Sequence, residues 1–147
     1  MKASVLERAI AFALHRHQGQ TDKAGMPYIL HPLRLMVTMA TDDERVVAVL
    51  HDVVEDTDAT FDDLITLGVS DESLSALRLL THDDGDGTEE NYFAYIGRIK
   101  GDSIARAVKL ADLADNLNVN RLPKVSERDA GRLTKYLRAK EILLQGE

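Results

Sequence analysis

The sequence VVAVLHDVVED, residues 46–56, places four ionisable side chains inside an otherwise apolar run. The apolar residues favour a buried helical segment, and the ionisable ones are His51, Asp52, Glu55 and Asp56. An unpaired charge inside a protein costs several kcal/mol. These groups therefore need compensation, and a divalent metal ion is the simplest candidate. Other parts of the chain must then supply further ligands.

The composition limits what kind of protein this is. A chain of 147 residues predicts one domain, residues 1–147, with a single core. It shows no N-terminal secretory signal and no run near the ~20 apolar residues that span a membrane, so we expect a cytoplasmic protein with no membrane partner. The absence of cysteine excludes disulfides, thiolate ligands and a cysteine nucleophile.

The charge and the available ligands narrow the chemistry further. A net charge of −7 argues against nucleic acid as a partner, because phosphate contacts need clustered Lys and Arg. Any metal must be held by imidazole and carboxylate groups, which suit Mn, Fe, Co, Ni or Zn.

The hydrophobic pattern predicts an all-α fold, with no convincing alternating strand pattern. We expect a first helix that ends near Gly19, a loop over 20–30, a second helix from Pro32 to about Ala40, and a third that begins near Asp42 and carries the 51–56 motif without a break. Later boundaries are predicted at a capping box formed by Thr60 and Asp63, at Gly68, Ser70, Thr88, Gly101-Asp102, about Asn118, Pro123 and Ser126.

Two further residues complete a candidate metal site. His31 precedes Pro32 at a predicted helix start, and Asp112 follows the mostly apolar run 108–111. Alone, each has an ordinary explanation as a packed histidine or a solvated aspartate. Together with His51 and Asp52 they form a two-His, two-Asp set on three helices, which is how helical bundles build metal sites. Four protein ligands leave positions for water and a substrate oxygen, as a hydrolase requires.

Three sequence blocks carry a family resemblance. They are GMPYILHP at 25–32, HDVVEDT at 51–57, and VKLAD at 108–112 followed by Asn116. In this order they resemble the HD-superfamily hydrolase domain of RelA/SpoT-type enzymes, and most closely the small alarmone hydrolases. The resemblance spans His15 to Asn116.

This resemblance implies a compact multi-helix HD-domain bundle and one divalent metal, Mn(II) first, with Fe, Co, Ni or Zn as alternatives. The implied ligands are His31, His51, Asp52 and Asp112. The resemblance also implies that Glu55 and Asp56 order and deprotonate the attacking water. In a continuous helix these two would lie one turn beyond His51 and Asp52, in agreement with that role.

The implied reaction is removal of the 3′-pyrophosphate from (p)ppGpp, by a monomer or small homo-oligomer. The implied substrate contacts are Lys23, Tyr28, Lys109 and Asn116. Three positions depart from the family pattern: Asp22 and Leu113 stand where relatives often carry arginine or another cation, and Asp115 replaces a frequent histidine or aromatic. Each lost charge-assisted phosphate contact is worth about 1.5–3 kcal/mol.

Because of these departures, two alternatives stay open. The same centre could act on a nucleoside triphosphate, NADPH or another small phosphate ester, or the chain could be a catalytically weak regulatory domain that binds a nucleotide. We expect His15 and His17 to be exposed on the first helix, although one could point inward to orient a ligand. The acidic stretch 83–87 lacks the distal glutamate of an EF-hand loop, so a solvated turn is predicted there.

Overall fold

The computed structural model describes residues 2–82, 89–118, 120, 122 and 124–145. Over these residues the chain forms nine helices, and the all-α prediction is confirmed. They are α1 (Val5–Arg16), α2 (Leu30–Val37), α3 (Asp42–Leu50), α4 (Val53–Asp56), α5 (Phe61–Leu67), α6 (Asp71–Leu80), α7 (Glu89–Lys100), α8 (Ser103–Asn116) and α9 (Glu127–Leu144). The predicted acidic turn at 83–87, the cap at Thr88 and the break at Pro123 lie outside the described residues.

Helix α3 lies at the centre of the bundle. Its residues 46–50 are all buried, and it packs against α1, α2, α6 and α8. A helical segment that is apolar on every side, as residues 46–50 are, is stable only when other helices surround it. The residues that follow Leu50 are therefore delivered to the interior of the bundle.

Short polar residues fix where the helices begin. Thr60, Ser70 and Ser126 each accept a backbone N–H as N-caps of α5, α6 and α9, as predicted, and Asp102 caps α8. Such caps stabilise a helix by about 1 kcal/mol each because they satisfy backbone donors that have no partner within the helix. The predicted ends are less accurate: α2 covers Leu30–Val37 rather than Pro32 to Ala40, and α8 ends at Asn116.

The prediction that one helix carries the whole 51–56 motif is wrong. Helix α3 ends at Leu50, and Asp52 adopts φ −123° and ψ 12° before α4 begins. Successive side chains of a regular helix point about 100° apart, because it has 3.6 residues per turn. The turn at 51–52 frees His51 and Asp52 from that constraint, so both can face the same interior region.

Gly68 at the end of α5 should not tolerate a side chain. Its φ is +91°, and an added Cβ would lie 3.0 Å from Nη2 of Arg8, which donates to the Leu67 carbonyl. We expect Gly68→Ala to lower the free energy of unfolding by about 1–2 kcal/mol. Gly97→Ala is a matched control, because Gly97 lies inside α7 with open space around it. It should raise that free energy by about 0.5–1 kcal/mol. Urea unfolding of both variants tests this, and changes of the same sign would contradict it.

None of the helices in the described part of the chain is long and apolar enough to cross a membrane.

Candidate metal centre

The four predicted metal ligands meet in the interior. His31 comes from the start of α2, His51 and Asp52 from the turn before α4, and Asp112 from α8, with exposed fractions of 6%, 8%, 8% and 6%. Ligand atoms of His31, His51 and Asp52 lie within 4.8 Å of one another. Oδ1 of Asp112 lies 2.9 Å from Nε2 of His31 and 3.6 Å from Nε2 of His51. Metal bonds to nitrogen and oxygen of about 2.0–2.2 Å produce separations of this order around one ion.

The ring of His51 is held in the orientation that a metal ligand needs. Its Nδ1 lies 2.7 Å from the carbonyl oxygen of Ala48. A carbonyl can only accept, so Nδ1 carries a hydrogen and Nε2 is the ring nitrogen left to bind a metal. Nε2 faces Oδ2 of Asp52 at 3.5 Å and Oδ1 of Asp112 at 3.6 Å. A backbone contact of this kind is the usual support for a ligating histidine.

His31 lies between two carboxylates. Its Nε2 is 2.9 Å from Oδ1 of Asp112, and its Nδ1 is 2.6 Å from Oδ2 of Asp115. Burial disfavours protonation of the ring, but these two hydrogen bonds outweigh it and raise the pKa of His31 to about 9. In the metal-free protein the imidazolium thus balances part of the negative charge. Loading a metal onto Nε2 requires loss of that proton.

Asp52 provides the observation that tests whether a cation fits here. Burial raises the pKa of Asp52 to about 6, and Tyr28 donates its hydroxyl to Oδ2. Oδ1 is buried, and the group that faces it is Nε2 of His17 at 3.4 Å, a contact without good hydrogen-bond geometry. The His17 ring lowers the pKa of Asp52 but does not offset burial, so a cation beside this carboxylate would be stabilising. The nitrogen and oxygen ligands therefore fit a divalent ion.

Asp112 is the most strongly ionised member of the set. Burial opposes its charge, but the Lys109 ammonium and the hydrogen bond with His31 hold its pKa well below the usual range. Nζ of Lys109 donates to Oδ2 at 2.9 Å, and Nδ2 of Asn116 donates to Oδ1 at 3.1 Å. Lys109 and Asn116 were predicted as substrate contacts. Both donate to Asp112, and both also line the cavity that contains the four ligands.

The four ligands line one of two neighbouring cavities. The metal cavity, of about 290 Å³, contains the four ligands together with Glu55 and Asp56. The neighbouring cavity, of about 300 Å³, contains Lys23, and Tyr28, Asn116 and Tyr136 line both. The two cavities are therefore neighbours that share three lining residues.

Glu55 is an exposed residue whose carboxylate lines the same cavity as the four ligands. Desolvation raises its pKa to about 7, the His82 N–H lowers it, and the charge of Asp56 raises it again. That N–H donates to Oε1 of Glu55 at 2.5 Å. A carboxylate with a pKa near neutrality, fixed beside the four ligand residues, is suited to accept and return a proton.

The three departures from the family pattern have structural explanations. Leu113 is 0% exposed and belongs to the hydrophobic core, and it does not line the cavity that contains the ligands. Oδ1 of Asp22 accepts the backbone N–H groups of Ala24 and Met26 and so closes the loop before α2. Asp115 contacts His31 and Arg34 instead of lining the metal cavity. Neither Leu113 nor Asp115 lines the metal cavity, so the departures at these two positions do not change its wall.

Lys23 is placed away from the metal ligands. It lines the neighbouring cavity, and its Nζ lies 3.1 Å from Oδ1 of Asp129 at the start of α9. Its charge is therefore already paired in this conformation.

Two supporting groups differ from the sequence-based expectations: His17, for which exposure was expected with an inward position as the alternative, and Asp115, whose role was not predicted. His17 is buried beside Asp52, whereas His15 is exposed as expected. Ala9, Ala13 and His17 follow at intervals of four residues on one helix face, and that spacing could have placed His17 inward. Asp115 lies three residues after Asp112, hence on the same side of α8, but its partner Arg34 lies on another helix and leaves no local signal.

Comparisons with known proteins show which proteins the chain resembles. No family model matches the chain. Over 122 residues it is 35% identical to the bifunctional (p)ppGpp synthase/hydrolase SpoT of Escherichia coli strain K12, covering 76% of this chain and 17% of SpoT. Over 110 residues it is 36% identical to the guanosine-3′,5′-bis(diphosphate) 3′-pyrophosphohydrolase MESH1 of Drosophila melanogaster, covering 70% of this chain and 61% of MESH1.

A solved structure is also similar. It belongs to a metazoan ortholog of SpoT that hydrolyses ppGpp, with a TM-score of 0.82 and 25% identity, and the match covers 98% of this chain and 88% of that one. The RelA/SpoT-type resemblance that the three sequence blocks predicted is thus confirmed. The chain spans only about 17% of the length of SpoT.

Proposed function

We propose that this chain, a homologue of the SpoT and MESH1 hydrolases, is a metal-dependent phosphohydrolase that removes the 3′-pyrophosphate from (p)ppGpp. The observation that carries the proposal is the convergence of His31, His51, Asp52 and Asp112 in one cavity with Glu55 and Asp56. A cluster of ligands alone would also suit a structural metal. Two further carboxylates on the same cavity are what a hydrolytic site requires.

The proposed roles follow from the positions of the groups. The four ligands would hold a divalent ion, which would act as a Lewis acid and offset the charge that develops on the phosphoryl oxygens. Glu55 accepts the proton of the attacking water, with its carboxylate held by the His82 N–H, and Asp56 orients that water from the next position of α4. Lys109 keeps Asp112 ionised and places positive charge at the cavity wall.

The paired cavities fit a nucleotide that carries a pyrophosphate. The scissile phosphate belongs in the metal cavity, and the nucleoside belongs in the neighbouring cavity, whose lining includes the aromatic rings of Tyr28 and Tyr136. Asn116 lies at the boundary of both and is suited to contact the sugar. For Lys23 to contact a phosphate, it must first leave Asp129.

Mn(II) is the proposed metal. The proposed ligands are two imidazoles and two carboxylates, a set without thiolates that suits a borderline to hard divalent ion.

Purified protein with Mn(II) should release pyrophosphate from ppGpp, and a chelator should abolish the release. The test is a product assay over a panel that also contains GTP, ATP, NADPH and a simple phosphate ester. Hydrolysis of another nucleotide with ppGpp untouched would keep the metal mechanism and reject the substrate. Binding of ppGpp without turnover of any compound would indicate a regulatory domain instead.

Mn(II) should also stabilise the folded protein. A ligand present at 100 times its dissociation constant stabilises the native state by about 2.7 kcal/mol when it does not bind the unfolded chain. For a chain of this size that is a rise in Tm of about 5–10 °C. Differential scanning fluorimetry with and without Mn(II) measures the shift. An unchanged Tm at saturating Mn(II) would contradict a site built from buried ligands.

A further inference from the structure

We propose that Asp115 is a positioning residue for the metal centre and that Arg34 holds it in place. Asp115 fixes the ring of His31 so that Nε2 faces the other three ligands. This inference rests on the metal site of the proposed function, but not on the identity of the substrate.

Asp115 on α8 contacts two residues of α2, Arg34 and His31. Arg34 donates from Nε to Oδ1 of Asp115 and from Nη2 to Oδ2, each at 2.9 Å, and His31 Nδ1 contacts the same Oδ2 at 2.6 Å. The Asp115 side chain is 12% exposed and that of Arg34 is 36% exposed. A two-pronged Arg–carboxylate pair fixes the plane of the carboxylate as well as its position.

The hydrogen bond between His31 and Asp115 determines which ring nitrogen of His31 carries a hydrogen. An ionised carboxylate has no hydrogen to donate, so the hydrogen between His31 and Asp115 belongs to Nδ1. When the ring is a metal ligand, Nε2 must then be the atom that binds. A carboxylate partner at Nδ1 also makes the imidazole a stronger donor to the metal. His51 is oriented in the same way by the Ala48 carbonyl, so each imidazole has its own fixed support.

The positive charge of Arg34 allows Asp115 to lie close to the metal ligands. Asp115 lies one turn beyond Asp112 on α8, so both carboxylates lie on one side of the helix and repel each other. The guanidinium offsets this repulsion and satisfies both oxygens of Asp115. Without it, the carboxylate would be free to rotate toward solvent, and His31 would lose its support.

Metal affinity is the first test. Mn(II) binding should be measured by titration calorimetry for the wild type, Asp115→Ala, Asp115→Asn and Arg34→Gln. Loss of a carboxylate behind a ligating histidine typically weakens metal binding about 10–100-fold. We expect that loss in Asp115→Ala, and smaller losses in Asp115→Asn, which keeps an acceptor, and in Arg34→Gln. Arg45→Gln is the matched control, because Arg45 pairs with Asp42 at 2.8 Å on the exposed side of α3 and should bind Mn(II) like the wild type.

A spectroscopic test separates positioning from general stability. In the Co(II)-loaded protein, the Nδ1 hydrogens of His31 and His51 should produce two shifted, exchangeable proton NMR signals. Asp115→Ala should remove one signal or accelerate its exchange, whereas Asp115→Asn and Arg45→Gln should keep both. Circular dichroism establishes which variants are folded.

The proposal is overturned if folded Asp115→Ala binds Mn(II) within twofold of the wild type and keeps both signals. If Asp115→Ala does not fold, wild-type affinity in both Asp115→Asn and Arg34→Gln overturns it equally. These measurements do not involve hydrolysis. A protein that fails to cleave ppGpp but loses Mn(II) affinity in these variants would therefore reject the proposed substrate and support the role of Asp115.

Discussion

Replacing His51 by alanine is expected to abolish metal-dependent hydrolysis and to remove tight Mn(II) binding. His51 supplies one of only two imidazoles in the set, and its Nε2 faces the carboxylates of Asp52 and Asp112. The Lewis-acid contribution of a bound metal is worth several kcal/mol of charge stabilisation in the transition state. Loss of about 4 kcal/mol lowers a rate about 10³-fold, so we expect at least that decrease in kcat/KM.

The measurement combines calorimetric Mn(II) titration with a pyrophosphate release assay. His15→Ala is the matched control, because it makes the same substitution at an exposed histidine on α1. It should bind Mn(II) and turn over substrate like the wild type. The residual rate of His51→Ala should also equal that of chelated wild-type protein. Normal turnover by folded His51→Ala would reject the metal mechanism entirely.

The parts of the fold that could be predicted are those with local causes. Thr60, Ser70 and Ser126 begin helices because a short side-chain oxygen satisfies a backbone donor two or three positions ahead. Gly68 ends α5 because its φ of +91° is readily adopted only by glycine. Burial of His51 and Asp52 likewise follows from the apolar run at 46–50 that precedes them.

The features that escaped prediction depend on contacts between distant segments. The apolar pattern continues through residue 54, so nothing local indicates that the helix breaks at 51–52. The break is favoured by what lies across the cavity, where Asp52 meets Tyr28 and His17. The pairing of Arg34 with Asp115 joins two helices in the same way, and the pairing of Lys23 with Asp129 joins a loop to α9.

These long-range contacts also change how the departures from the family pattern are interpreted. When the sequence is compared position by position, Leu113 replaces a cation and Asp115 replaces a histidine or aromatic residue, which suggests weaker binding of a polyphosphate. In the structure the first is a core residue and the second supports a metal ligand. Asp22 remains the one departure of the three that lines a proposed substrate cavity.

Glu55→Gln is expected to lower kcat while leaving Mn(II) binding intact. Glutamine keeps an oxygen that can accept the His82 N–H, so the position of the side chain should be preserved. It cannot take a proton from water at neutral pH, and loss of a positioned general base typically costs about 10²–10⁴-fold in rate. Because Glu55 is not one of the four ligands, the two effects should separate, in contrast to His51→Ala. The measurement is kcat for ppGpp at saturating Mn(II), together with Mn(II) affinity by calorimetry.

Glu72→Gln is the matched control, since it makes the same chemical change at an exposed glutamate in the first turn of α6. It should leave both kcat and Mn(II) affinity unchanged. Asp56→Asn should resemble Glu55→Gln, because both carboxylates face the metal cavity from α4. If Glu55→Gln retains kcat within threefold while Asp56→Asn loses activity, the proton acceptor is Asp56 and Glu55 only anchors the segment at His82. If both variants keep full kcat, proton transfer by this pair is excluded and the water must be activated without them.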